Sequence, residues 1–447
     1  MNRILGRGIK LIAPVIALLL FYCYGIALAE GSALTLRESI DTAIKNSVLL
    51  HGAKEGVKGA EALKNEAVTA FLPRFSTSYS YTRLHEQPSM TIPAIPPNPA
   101  ITVPAGTRNN YNWAVEAVQP VFAGGAIWNN YLLNKQGLAL SRKEEERTIQ
   151  DTVQEVKVTY FNVLRAEKLL EAAKQAVELL KSHLNTAQQF FDVGLIPKND
   201  LLYAEVELAN SEHDLVRAEN SLELAKASFN TALRRGISTP VQLEDILTET
   251  PFGLSFDECL KTALENRPEL KAYQLKVDQA QSLLKIARSG YFPTVSLVGN
   301  YSKYGDDPDV SGSEFQDQES WYVMAVANWN FWEWGKTKFQ VDNRLARENQ
   351  TRDMLANATD QVTLEVKNAY LVVREAEKQI PVTKKAIEQA EENYRINKER
   401  YQEQVATSTE VLDAQTILTR AKSDYANALG IYHISQARLE RAMGIVR

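Results

Sequence analysis

The sequence predicts a protein of mixed α and β structure that is exported across a membrane and built from two similar halves. Three observations support this prediction. The N-terminus has the features of an export signal, the chain repeats itself, and short strand patterns alternate with very long helical patterns. No later stretch reaches the ~20 consecutive apolar residues of a membrane-spanning helix. The mature chain is therefore either soluble in an exported compartment or crosses a membrane as β-strands.

Residues 1–29 are predicted to be a secretory signal peptide. Three basic residues precede an apolar run from Leu11 to Ile26, and Ala27-Leu28-Ala29 has the small-x-small form of a cleavage site. A membrane anchor is the alternative, although polar helical sequence follows soon afterwards. Only Cys259 remains after the leader, so no intrachain disulfide is expected. The formal net charge of −5 does not favour nucleic acid as a partner.

The rest of the chain consists of two repeats, residues 30–253 and 254–447. Their first parts align at an offset of 220 residues and their last parts at an offset of 210. The change falls in a loop, because the proline-rich segment 86–107 has a shorter, acidic counterpart at 306–320. Each repeat is predicted to contain, in order, a helix, a strand, a loop, a strand, a long helix, a tip and a second helix.

Each repeat begins with a helical pattern, from Leu36 to about Phe71 and from Phe256 to about Tyr291. The predicted strands lie at about 74–85, 109–122, 294–304 and 321–332. In each strand an apolar face that bears aromatic residues alternates with a mostly polar face. This pattern is typical of a barrel strand between lipid and water, and equally of an antiparallel sheet packed on a soluble core. Four strands cannot close a barrel, because even small barrels need about eight, so membrane strands would require an oligomer.

The long helical patterns run to the two tips, predicted at about 192–200 and 402–410. Each covers roughly 65 residues, or about 100 Å at 1.5 Å per residue, which indicates a spacer and not part of a compact domain. At the first tip, Gly194 and Pro197 are predicted to end one helix, and Asn199 or Asp200 to begin the next.

The helices after the tips alternate large and small residues in heptads. In the first repeat the large positions run from Leu201 to Phe229, and in the second from Val411 to Leu439. Sustained heptads are typical of coiled-coil packing, and small residues between the large ones let neighbouring helices approach closely. A soluble helical bundle or rod remains the alternative.

No catalytic or cofactor-binding pattern is present in the sequence. The five histidines are scattered and are predicted to be solvated or structural. There is no phosphate-binding glycine loop, no Cys/His cluster with metal-ligand spacing and no nucleophile elbow. We therefore predict no enzyme activity, no cofactor and no metal site.

The whole mature chain resembles the TolC family of outer-membrane efflux proteins. The most specific motifs are Phe191-x-x-Gly194-Leu195 and Glu410-Val411-Leu412-Asp413. The resemblance implies a trimer in which four strands per chain form a 12-stranded β-barrel in the outer membrane. Long helices would continue this barrel as an α-helical coiled-coil barrel in the periplasm. In this assembly the twelve strands of three chains would close the barrel that the four strands of one chain cannot close.

The resemblance also implies a function and partners. The protein would be a passive export channel of a tripartite efflux or type I secretion system, in the outer membrane of a Gram-negative-type cell. Its tips would dock to a periplasmic adaptor, or membrane fusion, protein and an inner-membrane pump, while its barrel contacts outer-membrane lipid. The alternative is a soluble periplasmic coiled-coil adaptor or scaffold. Whether drugs, metals or proteins are exported is not encoded in these motifs.

Two residues, Gly194 and Leu195, match the motif by which the family's tips contact the adaptor. The second tip departs from this motif, since Gln404 and Val405 stand where Gly-Leu or Gly-Thr is usual. The resemblance therefore implies adaptor docking for the first tip more directly than for the second.

Four further residues match the family's periplasmic gate. Glu410 and Asp413 match the acidic pair that constricts the entrance, and Tyr401 and Asp200 match contacts that lock neighbouring helices. Three chains would bring six carboxylates around one axis, favour cations and raise the carboxyl pKa values by like-charge repulsion. Two solvated surface acids are the alternative. Ala406 occupies the place of the arginine expected in this gate.

Overall fold

The computed structural model describes residues 33–445, so the predicted signal peptide lies outside the described residues. The described chain divides into two compact units. The first contains residues 33–48, 149–260 and 366–445, and the second contains residues 49–148 and 261–365. Each sequence repeat therefore contributes to both units, and neither unit is formed by one repeat alone.

The described chain is mainly helical. Its helices are α1 Leu36–Asn46, α2 Val48–Thr69, α3 Ala126–Asp192, α4 Lys198–Ala232, α5 Phe256–Asn266, α6 Pro268–Ser289, α7 Lys336–Gln402 and α8 Ser408–Ala442. The predicted long helices, α3 and α7, are continuous over 67 residues each. Within residues 33–445, every helix is too short or too polar to cross a membrane.

The helix that opens each repeat is interrupted, which the sequence analysis did not predict. In the second repeat the break falls at Arg267 (φ −57°, ψ 119°), directly before Pro268. A proline disfavours helical geometry in the residue that precedes it. Ser47 adopts a similar conformation (φ −64°, ψ 116°) in the first repeat without a following proline. The prediction of one unbroken helix in each repeat was therefore wrong.

The second unit contains an antiparallel sheet in the order β1-β4-β5-β6. Its strands are β1 Arg74–Arg83, β4 Asn109–Ala123, β5 Thr294–Gly305 and β6 Glu319–Asn328. An additional hairpin, β2 Ser89–Ile92 with β3 Ile101–Pro104, lies in the loop between β1 and β4 and was not predicted. The predicted fourth strand was too long, because β6 ends at Asn328 and residues 329–334 are not strand.

The strand register places the four predicted apolar faces on one side of this sheet. Tyr79 lies opposite Trp113, and Tyr301 lies opposite both Val115 and Trp321. Directly opposite residues share a face, so the sheet has one continuous aromatic face. We define it by Phe75, Tyr79, Tyr81, Tyr111, Trp113, Val115, Leu297, Tyr301, Trp321 and Val323. In β1, β4 and β5 the other face carries mostly polar residues such as serine and asparagine, as predicted, whereas in β6 it carries Tyr322, Met324 and Val326.

The predicted heptads form the core of the first unit, but they are buried unequally. In α8, the large residues Val411, Leu418, Tyr432 and Leu439 are all buried. In α4, by contrast, the middle heptad residues are only half-buried, and its other side exposes five large apolar residues: Leu202, Tyr203, Val206, Val216 and Leu224. The helix α4 therefore presents an apolar surface that the single chain does not cover.

Candidate functional site

The first tip, residues 193–197, joins α3 to α4 through a Schellman turn. The Leu195 N–H donates to the Phe190 carbonyl (2.8 Å). The Gly194 N–H donates to the Phe191 carbonyl (2.9 Å), and this pair of bonds is typical of a helix that ends in a left-handed residue. Gly194 has φ +77°, and a Cβ there would meet no atom within 4 Å. The backbone conformation, and not lack of space, is therefore what favours glycine.

Apolar side chains at this first tip face solvent. Val193 is 69% exposed and Leu195 is 50% exposed. The next helix begins directly after Pro197, which is the N-cap and makes no side-chain capping bond. The helix starts at Lys198, so the predicted start at Asn199 or Asp200 was one or two residues late.

The second tip, residues 403–407, repeats the same turn. The Val405 N–H donates to the Arg400 carbonyl (2.9 Å), and the Gln404 N–H donates to the Tyr401 carbonyl (3.0 Å). Here Gln404 takes the left-handed conformation, at φ +60°, in the position that glycine holds in the first tip. Val405 is 63% exposed. The two tips thus share a backbone turn and an exposed apolar residue, despite their different sequences.

A capping box begins α8 immediately after the second tip. The Glu410 N–H donates to Thr407 Oγ1 (3.3 Å), and the Thr407 N–H donates to Glu410 Oε1 (3.2 Å). Arg400 donates from Nη1 to Glu410 Oε2 (3.2 Å) and from Nη2 to the Val405 carbonyl (3.2 Å). No arginine occupies position 406, but Arg400 supplies a guanidinium to the second tip from the preceding helix.

The two acids predicted to form the gate lie on one side of α8. Glu410 is half-buried and Asp413 is exposed, and residues three apart are neighbours on a helix surface. The Thr407 backbone N–H, with a further contribution from Arg400, lowers the Glu410 pKa below its ordinary value. In the single chain Glu410 is therefore a capping and ion-pairing carboxylate. The predicted rise of its pKa through like-charge repulsion would require the carboxylates of the other chains to lie nearby.

The other two predicted gate residues belong to the interior near the tips. Tyr401 is 4% exposed and belongs to the same buried apolar cluster as Val411 and Leu418 of α8. The pKa of the Tyr401 hydroxyl is raised above its ordinary value. Burial is the main cause and the Asp200 carboxylate adds to it, while the neighbouring Ser408 hydroxyl acts in the opposite direction. The fold thus brings Asp200, in the first turn of α4, within electrostatic range of Tyr401 at the end of α7.

His183, which was not predicted to be a site residue, completes this interior cluster. It lies on α3, is 7% exposed, and its Nε2 is hydrogen-bonded to Ser408 Oγ on α8 at 2.8 Å. Its ring lies 5.0 Å from the Tyr401 ring on α7. Burial, with the charge of Lys398 as a second cause, lowers the His183 pKa to about 4. His183 therefore connects the first helical hairpin to the second as a neutral side chain.

A signal for this histidine was present in the sequence. His183 follows Leu180 by three residues and precedes Ala187 by four, so it continues the buried stripe of α3. The sequence contained no comparable pattern for Arg400. Its partner Glu410 lies on the next helix, ten residues later, and not three or four residues away on the same helix. Among residues 33–445, no group of three or more His, Cys, Asp or Glu residues is arranged to hold a metal ion.

The described residues combine a sheet that has one exposed aromatic face with two long helical hairpins whose tips expose apolar residues, and this is the fold of solved outer-membrane channels. Comparisons with known proteins identify its family. The outer membrane efflux protein family matches residues 39–233 and residues 259–445, one segment in each repeat. The chain belongs to this family and is an outer-membrane protein.

Individual relatives are distant in sequence. The outer membrane protein TolC of Escherichia coli K12 is 22% identical over 327 residues, which cover 71% of this chain and 66% of that protein. The toluene efflux pump outer membrane protein TtgF of Pseudomonas putida is 22% identical over 423 residues, covering 92% and 83%. The Campylobacter jejuni CmeC outer membrane channel has the same fold, with a TM-score of 0.78, 20% identity, and coverage of 92% and 85%.

Proposed function

We propose that the chain is one subunit of a trimeric, passive export channel in the outer membrane. The observation that carries this proposal is the aromatic face of the sheet. Phe75, Trp321 and Val323 are each at least 70% exposed in the single chain, and large contiguous apolar surfaces of this kind mark contact with a membrane or another protein. In a barrel this face contacts lipid, and the polar face lines a water-filled interior.

The sheet also has two free edges, β1 and β6. Unpaired edge strands expose backbone groups that cannot remain unsatisfied within a membrane. Pairing β1 of one chain with β6 of the next in a ring of three removes every edge and gives twelve strands. The uncovered apolar residues of α4 support the same arrangement, because a neighbouring chain would bury them.

The tips are the proposed docking surfaces for a periplasmic adaptor protein and an inner-membrane pump. Val193 and Leu195 of the first tip and Val405 of the second all expose apolar side chains. Such residues on short, well-defined turns suit insertion into a complementary apolar groove. The energised pump would select the substrate, so this chain contributes a duct and performs no enzymatic reaction.

The proposed gate has an inner and an outer part. The cluster of His183, Tyr401 and Ser408, with Asp200 nearby, would hold the hairpins together in the closed state. Glu410 and Asp413 would carry the negative charge around the entrance. Cation preference follows from three such pairs around one axis.

A soluble periplasmic adaptor or scaffold is the alternative function. The heptads of α4 and α8 suit it equally well. It is disfavoured because a soluble protein would have to cover the whole aromatic face of the sheet.

The decisive experiment measures conductance together with subunit pairing. Purified protein should insert into planar bilayers, conduct ions, and migrate as a heat-modifiable trimer. Single cysteines placed on β1 and on β6 should form disulfides only between different chains. Protein that remains soluble, does not conduct, and gives no intersubunit disulfide at any pair of positions would exclude the channel.

A further inference from the structure

A pocket between α3 and α4 contains an arginine that has no partner. Arg165 of α3 lines this cavity of about 390 Å³ together with Asn162, and we call it the Arg165 pocket. Arg165 is half-buried, and its Nε is buried without a hydrogen-bond partner. Within residues 33–445, the side chains of Arg165 and Asn162 make no hydrogen bond or ion pair. An unpaired cation withdrawn from water is unfavourable, so the pocket points to an anion from outside the chain.

Electrostatics and the lining of the pocket agree with an anionic ligand. Burial lowers the pKa of the Arg165 guanidinium, and no carboxylate of the described chain opposes this shift. None of the described residues that line the pocket is acidic. A guanidinium and an amide, three residues apart on one helix face, suit the oxygens of a carboxylate or sulfonate. Leu169 and Leu224 also line the pocket and suit the apolar body to which such a group is attached.

The helix α8 is adapted to this arginine at Gly430. A Cβ on Gly430 would lie 2.8 Å from the Cβ, Cγ and Cδ atoms of Arg165, so another residue there would displace the arginine stem. Glycine within a helix is unfavourable relative to alanine. In the other repeat, at an offset of 210 residues, Glu375 is the equivalent of Arg165 and Asn220 is the equivalent of Gly430. The arginine and the glycine that accommodates it therefore occur together, once in each chain.

The pocket lies on the side of α3 that faces away from the linker between α4 and α5, residues 233–255. On the linker side, the Tyr160 hydroxyl donates to a linker carbonyl (2.8 Å), and Lys168 Nζ lies 2.9 Å from a linker carboxylate. A helix turns by about 100° per residue, so Asn162 lies about 160° around α3 from the midpoint of Tyr160 and Lys168. The helix α3 therefore separates the pocket from the linker.

In the proposed tube, the pocket side of α3 faces the lumen. Twelve long helices packed 8–10 Å apart would enclose a lumen roughly 25 Å wide. The helix α1 packs on the linker side, because its Ala43 belongs to the same apolar cluster as Tyr160. Three such helices, each about 10–12 Å in diameter, would fill that lumen. The linker and α1 therefore lie outside the tube, and the Arg165 pocket opens inwards.

We propose that the Arg165 pocket is a binding site for organic anions inside the channel, and that it takes the carboxylate or sulfonate group of cargo in transit. The site lies about 40 Å from the first tip, since 27 residues of α3 separate Arg165 from Asp192. A trimer has three such sites. Their location in the lumen rests on the proposed function, whereas the pocket itself is formed by one chain.

The test uses phenylglyoxal, which modifies accessible arginine side chains, on the full-length protein in detergent. Peptide mass spectrometry measures the modification of Arg165 and, as a control, of Arg217, which lies 3.6 Å from the Asp214 carboxylate. Benzoate should slow the modification of Arg165 at least about threefold and leave that of Arg217 unchanged, because a bound carboxylate covers the guanidinium. Benzamide and benzylammonium carry the same ring without negative charge and should not protect Arg165.

Inorganic phosphate tests the apolar part of the site. At equal concentration it should protect Arg165 less than benzoate does, because it leaves the leucine side chains uncovered. Equal protection by phosphate would overturn the assignment to organic anions. No protection by either anion would overturn the site itself. The site is also excluded if Arg165 does not react in the absence of ligand, since a neighbouring chain then already covers it.

Substitutions separate binding from folding, with equilibrium dialysis of radiolabelled benzoate as the measurement. R165Q should abolish binding while thermal stability stays native, because the Arg165 side chain makes no hydrogen bond within the described chain. R165K should retain weaker binding, and R217Q should bind like the native protein. G430A keeps the guanidinium but displaces its stem, so it should weaken binding severalfold. Unchanged binding in R165Q, or lower stability with unchanged binding, would show that the arginine has no ligand.

Conductance in planar bilayers distinguishes failure of this inference from failure of the proposed function. If the protein conducts but benzoate does not protect Arg165, the anion site is wrong and the channel stands. If benzoate protects Arg165 in a protein that never conducts, the pocket binds anions, but its place in a channel lumen is wrong together with the proposed function.

Discussion

At the first tip the left-handed position is held by Gly194, and the next helix starts after Pro197 with no side-chain cap. At the second tip the same position is held by Gln404, and Thr407 and Glu410 cap the next helix. One turn geometry is thus stabilised in two ways. The first tip has a relaxed turn and an uncapped helix, whereas the second has a strained turn held by caps and by an arginine.

The difference extends to the neighbours of the two tips. Tyr401 precedes the second tip and contacts His183 of the other hairpin, whereas the equivalent of His183 in the second repeat is Asn393. The polar connection between hairpins therefore converges on the second tip. This difference supports the proposal that the first tip is a docking surface and that the second tip belongs to the gate.

The largest expected effect concerns the charge at the entrance. E410Q combined with D413N removes two carboxylates per chain, while glutamine still completes the capping box. In planar bilayers we expect severalfold weaker cation preference and altered conductance, because six negative charges leave the entrance.

D424N is the matched control, since Asp424 is another exposed acid on α8, eleven residues beyond Asp413 and further from the tip. It should conduct like the native channel. Equal selectivity of the native protein and the double variant would show that this pair does not form the constriction.

The next effect concerns pH. The His183 pKa is about 4 in the folded chain and about 6.5 in an unfolded one. The unfolded state therefore binds a proton first as the pH falls. Stability is complete above pH 6.5 and is lost towards pH 4, by roughly 3 kcal/mol per chain. The melting temperature should fall across this window.

H183N, which copies the residue of the second repeat, should lower stability at neutral pH but remove this part of the pH dependence. An identical pH profile in the native protein and in H183N would mean that His183 is not the titrating group. The charged neighbour that must be considered is Lys398, which also lowers the His183 pKa.

A smaller effect on stability is expected from substitutions at the starts of the two helices that follow the tips. T407A removes the side chain that accepts from Glu410 N–H at the second tip and should cost about 1 kcal/mol. K198A, at the exposed first residue of α4, removes no capping bond and no proline, so it should change stability by at most a few tenths of a kcal/mol. Denaturant or thermal unfolding of both variants tests the contrast, which fails if the two substitutions cost the same.

The smallest effect concerns the turn itself. Q404G places glycine at a position with left-handed backbone conformation and should stabilise the chain by about 0.5–1 kcal/mol. G194A places a side chain at the equivalent left-handed position and should destabilise the chain by a similar amount. Opposite signs are the essential result. A loss of stability in Q404G would show that the Gln404 side chain makes a contact that offsets its strain.

Local patterns in the sequence predicted the elements, because period-two and heptad patterns reflect burial on one face. The alternation around Tyr79 and Trp113 and the heptads from Val411 onwards are confirmed for this reason. Contacts between distant segments were not predictable in the same way. The bond between His183 and Ser408 joins residues 225 positions apart, and no local pattern specifies it.

Local chemistry identified only part of the candidate site, and the gate residues were named from the family resemblance. Gly194 was identified because a left-handed turn favours glycine, whereas Gln404 makes the same turn without that signal. Glu410 was interpreted only as a gate residue, although Thr407 three residues before it already indicated a capping box.

The central pair of the sheet, β4 with β5, joins residues 109–123 to residues 294–305. A chain exported from its N-terminus therefore delivers half of its sheet long before the other half arrives. During that interval β4 has β1 as its only available partner in its own chain, and its other edge can pair with a neighbouring molecule. Because such edges aggregate readily, this protein should depend on a periplasmic holding chaperone until the second repeat has crossed the inner membrane.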